Sequence, residues 1–341
     1  MKKILFIATT ISILSSGLNN TIIAQAAASV EVTGKLAQKF AEGITEADLK
    51  TNLYIIASDE FEGRNTGEPG QKLAAEYLKD FYMGINIASP LGEGNYFQKI
   101  SAQHLGKNIK PSENVVAYIK GSEKPDEIVV ISAHYDHLGI DVEGEIYNGA
   151  DDNGSGTVAV MEIAQAFQKA VEEGNGPKRS ILFLHVTGEE KGLLGSKYYA
   201  NFPIFPLKNT VADLNIDMIG RTDEAHENDP NYIYLIGSDK LSTELHQLSE
   251  DVNAKFTKLN LDYKYNDDSD PNRFYFRSDH YNFAKNNIPV IFYFNGTHEN
   301  YHRTSDTPDK INYELLAKRA KLVFYTVWEI ANREKRIVVD K

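Results

Sequence analysis

EIVVISAHYDHLGI, residues 127–140, runs from an almost unbroken apolar segment straight into imidazole and carboxylate groups. Glu127 to Ala133 lacks the alternation of a half-exposed strand, so it reads as a strand buried on both faces, the habit of parallel sheets. His134, Tyr135 and Asp136 follow at once. The same arrangement recurs. SILFLHV (180–186) precedes Glu189-Glu190, Val211 to Ile216 precedes Asp217, and Pro289 to Phe294 precedes His302. A fifth cluster, Asp151-Asp152, sits in the glycine-rich stretch GADDNGSG (149–156), just before an apolar-periodic helix.

Working outward, Asn114 to Ile119 alternates like a strand, and Tyr232 to Ile236 is a further one. Helical periodicity covers Pro69 to Tyr82, Thr157 to Val171, Leu241 to Val252 and Ile311 to Glu334, and a helix begins within Gly192 to Ala200. Lys35 to Ala57 reads as one or two helices. Strands alternate with helices from about residue 113 onward. This predicts a three-layer α/β/α fold with a mixed, mainly parallel central sheet. Residues 27–110 are expected to form a helical lead-in, and 111–341 the α/β core of one domain. NDDSDPN (266–272) reads as a solvated loop, with calcium binding as the less favoured alternative.

Met1 to Ala26 has a short positive start, an apolar run from Ile4 to Ile13 and a small-x-small end at Ala24-Gln25-Ala26. These are the marks of a secretory signal peptide. A membrane anchor is the alternative, but the run is interrupted and short of the roughly 20 apolar residues a span needs. The expected location is therefore secreted or periplasmic, with no membrane contact after cleavage.

The 341 residues include 36 Lys and Arg against 48 Asp and Glu, a formal charge of −12. That balance argues against nucleic acid as a partner. With 42% hydrophobic and 25% charged residues the composition is that of a globular protein. The chain has no cysteine. This excludes a thiol nucleophile, an iron–sulfur cluster and any disulfide, and leaves His and carboxylates as the ligands for any metal.

Beyond the carboxyl ends of strands in an open α/β sheet is where ligands collect. Each acidic or imidazole cluster alone also fits a structural reading: a helix cap for Asp152, a solvated helix start for Glu189-Glu190. Five such clusters, each beside a buried strand or a glycine-rich turn, point instead to one convergent site. Of the remaining histidines, His104, His226, His246 and His298 read as loop or surface residues and His185 as a core residue. His137 and His280 lie near enough to the clusters to support them.

HYDHLG (134–139), NGADDNGSG (148–156), GEEKGLLGS (188–196), NIDMIG (215–220), RSDH (277–280) and YHRTSDT (301–307) together resemble the zinc peptidases of family M28, the binuclear aminopeptidases and their relatives. DEFEGRNTGEPG (59–70) is similar to a stretch of that family too. The resemblance implies two Zn²⁺ per chain, with His134 and Asp217 on one, Glu190 and His302 on the other, and Asp151 bridging. It further implies a cis Asp151–Asp152 peptide, Glu189 as general base, Asp136 bonded to the far nitrogen of His134, and Tyr275 polarising the substrate carbonyl. The implied activity is removal of N-terminal residues from peptides with a free N-terminus. The same resemblance admits a glutaminyl cyclase working with one zinc, a carboxypeptidase or dipeptidase, and a non-catalytic binding ectodomain. Side-chain preference and oligomeric state are not legible at this level.

Overall fold

The computed structural model describes residues 34–341; the expected signal peptide lies outside the described residues. Residues 34–41 are helical. Helix α1 (Glu46–Ile56) is capped by Thr45, whose hydroxyl accepts from the Asp48 amide at 3.1 Å. A 3₁₀ segment (Asp59–Arg64) leads to α2 (Pro69–Gly84), which starts on a proline at its first position. Strand β1 (Phe97–Ile100) and the short α3 (Ala102–Leu105) complete the part read as helical lead-in. That reading missed β1. It is only four residues long and carries the polar Gln98, whose side chain accepts from Asn114 at 2.9 Å rather than contributing an apolar signal.

The remainder follows the alternation seen in the sequence. It comprises β2 (Ser112–Ile119), β3 (Lys124–His134), the hairpin β4 (Gly139–Ile140) and β5 (Ile146–Tyr147), α4 (Gly156–Glu172) and β6 (Arg179–Val186). Then come α5 (Leu194–Asn201), β7 (Thr210–Ile216), β8 (Tyr232–Ile236), α6 (Thr243–Val252), β9 (Asn260–Asp262), α7 (His280–Ala284), β10 (Val290–Phe294) and α8 (Tyr313–Asn332). Eight strands make one sheet in the order β1-β2-β6-β3-β7-β10-β8-β9. The central four, β6-β3-β7-β10, are mutually parallel, and β2 and β8 flank them antiparallel. The expected mixed, mainly parallel sheet is therefore present.

Both faces are covered, which is why the central strands read as continuous apolar runs. On one face Ile128, Val130, Leu182 and Leu184 pack against Tyr199 of α5 and Phe283 of α7. On the other, Phe183 stacks on Tyr82 of α2, while Phe167 of α4 stacks against Trp328 of α8 and meets Phe324. His185 is buried in β6 and shares a 2.7 Å hydrogen bond with the Tyr82 hydroxyl, the core role expected for it. Parallel central strands bring the ends of β3, β6, β7 and β10 to one edge of the sheet. There the chain delivers His134, Glu189-Glu190, Asp217 and, past β10, His302.

The interface of α1 and α4 holds one acid away from that edge. Glu162 of α4 is buried; one carboxylate oxygen accepts from Asn52 at 2.8 Å, and the other has no partner. Burial, with the charge of Asp48 adding to it, pushes this carboxyl from its usual 4.5 up to about 7. A raised folded pKa means that the native state prefers the neutral acid. Its contribution to stability is intact below about pH 4.5 and is lost as pH rises through about 7. Glu162→Gln keeps the Asn52 bond without the charge. It should leave stability unchanged near pH 4 and raise it by roughly 1–3 kcal/mol above pH 7 in urea unfolding. An equal effect at both pH values would contradict the assignment.

Candidate metal centre

β3 ends on His134, whose ring is fixed from behind. Its Nδ1 lies 3.1 Å from the Asp136 backbone carbonyl. A carbonyl only accepts, so Nδ1 carries a proton bound to it and Nε2 is the nitrogen that faces forward. Nε2 faces two carboxylate oxygens, Asp152 Oδ1 and Asp217 Oδ1, each at 3.3 Å. Three ligand atoms converge on one point, all buried, and suit a cation that takes the place of the proton on Nε2. Burial opposes charge on the imidazole, but the Asp217 and Glu189 carboxylates and the bond to Asp152 hold its pKa well above the usual value.

A second cluster shares Asp152. Its Oδ2 is 2.9 Å from His302 Nε2 and 3.8 Å from His137 Nδ1. Glu190 offers Oε2 to His302 at 3.4 Å and Oε1 to His137 at 2.8 Å. Two imidazoles therefore reach the Asp152–Glu190 pair, the expected His302 and also His137, whose Nε2 is buried without a partner. Burial alone would raise the Asp152 carboxyl; hydrogen bonds from His134 and His302 hold it well below the usual carboxylate range. His302 is pushed up to about 10 by the same Asp152 and Glu190 contacts, against the effect of burial. Imidazole nitrogen with carboxylate oxygen is a zinc donor set, and the residues present fit that ion on both sides of Asp152.

Asp152, not the expected Asp151, stands between the clusters. Adjacent side chains diverge, and the turn Ala150–Ser155 decides which of the pair faces inward. Asp151 turns away: its Oδ1 accepts from the Gly220 amide at 2.7 Å, and its Oδ2 lies 3.1 Å from His298 Nε2. Asp306 clamps both backbones, accepting from the Asp151 amide at 3.0 Å and the Asp152 amide at 3.1 Å. The cis peptide follows the same shift of one residue and joins Asp152 to Asn153. Gly149, at φ 55°, admits no side chain; a Cβ there would lie 2.3 Å from the Asp152 carbonyl and 2.4 Å from the His137 ring.

Glu189 lines the cavity beside Asp152 and Asp217. Burial, reinforced by Glu190, Asp217 and Asp279, raises its carboxyl well above the usual value despite His134. Asp136 has a different task from the expected one. Its carboxylate stands 3.9 Å from His134 Nδ1 and instead accepts from the Glu189 amide at 3.2 Å and the Thr66 hydroxyl at 2.8 Å. The carboxylate fixes the backbone of Glu189, while the carbonyl of the same residue holds the imidazole. Tyr275 is not in the cavity. Its ring meets His280 and Tyr281 edge-on, with centroids 5.6 and 5.9 Å away. In the tight turn Phe274–Phe276 neighbouring side chains diverge, and Phe274 is the one facing inward.

Four supporting residues escaped the sequence reading. His298, read as a loop or surface residue, lies in a loop with its side chain buried against Asp151. Asp306 lay within a quoted motif but had no role. Ser278 donates to Asp217 Oδ2 at 2.6 Å. Arg64 is fully buried and donates to the carbonyls of Ile56, Tyr135, Asn148 and Gly149, tying the 3₁₀ segment to both metal-ligand loops. Burial lowers its pKa to about 10, but Asp152, Asp306 and Asp136 keep it charged. The only signal for it was its place in DEFEGRNTGEPG. The acidic loop around 266–272 is, as expected, irregular and turn-rich.

The description of peptidase family M28 matches residues 114–327. The chain belongs to this family. Among solved structures, the LapA aminopeptidase of Legionella pneumophila superposes with a TM-score of 0.68 at 20% identity, covering 89% of this chain and 76% of that one. A zinc aminopeptidase from Bacillus subtilis gives 0.68 at 16% identity, covering 86% and 96%. A glutaminyl cyclase from Bacteroides thetaiotaomicron gives 0.63 at 17%, covering 86% and 99%. At these identities the likeness is one of fold. A probable zinc metalloprotease of Leptosphaeria maculans is 36% identical over 120 residues, 34% of this chain and 27% of that protein. A glutamate carboxypeptidase 2 homolog of Caenorhabditis elegans is 32% identical over 142 residues, 40% and 17% of the two chains. The match thus spans about a quarter or less of these relatives.

The exchange of roles between the two aspartates is testable. Asp152→Asn should lose bound zinc during dialysis against a mild chelator, read by elemental mass spectrometry. Asp151→Asn, which touches only the support, should weaken zinc by about 10- to 100-fold at most. Wild-type zinc retention in Asp152→Asn would remove it from the ligand set.

Proposed function

We propose that this M28 member is a secreted metallo-aminopeptidase that holds two zinc ions. His134, Asp217 and Asp152 would hold one, and Asp152, Glu190 and His302 the other. The observation that carries this reading is the posture of Asp152, whose two oxygens address two separate imidazole–carboxylate sets. When bound, zinc supplies Lewis-acid chemistry, polarising the scissile carbonyl and acidifying water. The remaining work belongs to the chain. Glu189 accepts the proton of the attacking water and returns it to the leaving amine. Burial and the neighbouring carboxylates raise its proton affinity, the direction that suits a group that takes up a proton. Asp136 holds the Glu189 backbone, and Ser278 and the Asp136 carbonyl orient Asp217 and His134. Export rests on Met1 to Ala26, and N-terminal sequencing of exported protein should begin near Ala27.

Two measurements test the activity. Peptides with free and acetylated N-termini, one beginning with glutamine, are incubated with the zinc-loaded protein and weighed by mass spectrometry. Stepwise shortening from free N-termini only is the expected result. Shortening from the other end makes it a carboxypeptidase; loss of ammonia from the glutamine peptide without shortening makes it a cyclase. Glu189→Gln should keep its zinc and lose about 10²- to 10⁴-fold in kcat. Near-wild-type turnover in that variant would exclude Glu189 as the base.

A further inference from the structure

We propose that Arg277 makes the cavity beside the metal ligands selective for a side chain with an apolar stem and an anionic end, glutamate above the other amino acids. The proposal rests on the aminopeptidase reading, in which the N-terminal residue of the substrate occupies this cavity.

The cavity has three kinds of lining. Its acids, Asp152, Glu189 and Asp217, belong to the floor, where the metal ligands and the base lie. Its walls are Met218, Phe274, Phe292 and Phe294. Its remaining residues include Arg277 and Tyr301. The walls carry no carboxylate, so a lysine or arginine side chain ending among them meets no partner, and burying such a charge unpaired is costly.

Arg277 is an exposed guanidinium with unspent capacity. It lies over the Phe274 ring at 4.8 Å, and its Nη2 is 3.4 Å from the Tyr301 hydroxyl. Among the described residues no carboxylate stands within ion-pair distance of it. Its neighbour Arg273 is placed differently, lining another cavity together with Asp267, Asp268 and Asp270. Stacking on Phe274 restrains the planar fork of Arg277 while leaving donors free, and a carboxylate can take two of them side by side. A glutamate stem lays two methylenes along the phenylalanine walls before its carboxylate reaches that fork. Aspartate is one methylene shorter, and leucine fills the walls but leaves the guanidinium unpaired.

The test measures kcat/KM for N-terminal Glu, Leu and Lys on a common fluorogenic amide. The wild type should favour Glu over Lys by at least about tenfold, the scale of one charge-assisted bond. The Glu/Leu ratio should fall as salt rises from about 0.05 to 0.5 M, because Arg277 is exposed. Arg277→Ala should lower the Glu/Leu ratio about tenfold, Arg277→Lys should retain part of it, and Arg277→Glu should shift the preference toward Lys. Thermal unfolding checks that the variants are folded. Cleavage with ratios that do not move in any variant overturns the role of Arg277 alone. No cleavage of any free N-terminus by the wild type overturns the aminopeptidase reading instead.

Discussion

Asp152, Glu189, Glu190 and Asp217 bring four carboxylates together at the carboxyl-terminal edge of the sheet, largely shielded from water. Like charges so placed repel strongly in a low-dielectric setting, and among the described residues no lysine pairs with them. The imidazoles of His134 and His302 and the more distant guanidinium of Arg64 compensate it. Much of the surrounding structure is arranged around that accumulation of charge. Arg64 ties the loops with bonds to backbone carbonyls, and Asp306 fixes the backbone on either side of the Asp151–Asp152 peptide.

The sheet makes the convergence possible. Because β6, β3, β7 and β10 run in the same direction, residues 134, 189–190 and 217 leave it at one edge although they are far apart in sequence. Packing on both faces holds those strand ends in place. The rigidity of the site is therefore a property of the core, while its chemistry sits on short loops that the core positions. The buried pair His134–Asp136 illustrates this division: the carbonyl of Asp136 orients the ring and its carboxylate holds the next loop.

The apolar runs of β3, β6, β7 and β10 were legible because burial on both faces leaves a continuous signal. His134, Glu190, Asp217 and His302 were legible because each follows such a run or lies in the loop beyond it. Asp151 and Asp152 could not be told apart, since the choice depends on a turn whose direction is set by Asp306, Gly220 and His298, all distant in sequence. Tyr275 failed for the same reason, because position along a 3₁₀ turn does not say which side chain enters the cavity. β1 was missed because a four-residue edge strand with a buried glutamine has almost no hydrophobic pattern. Asp136 was placed near the right group but assigned the wrong atom.

The account depends most on a two-cation centre shared through Asp152. Crystals of the zinc-loaded protein, measured on both sides of the zinc absorption edge, test it directly. The expected result is two anomalous peaks, each within about 2.0–2.2 Å of an Asp152 oxygen. One should also contact His134 and Asp217, and the other Glu190 and His302. A single peak, or peaks that leave the Asp152 carboxylate uncoordinated, would contradict the account.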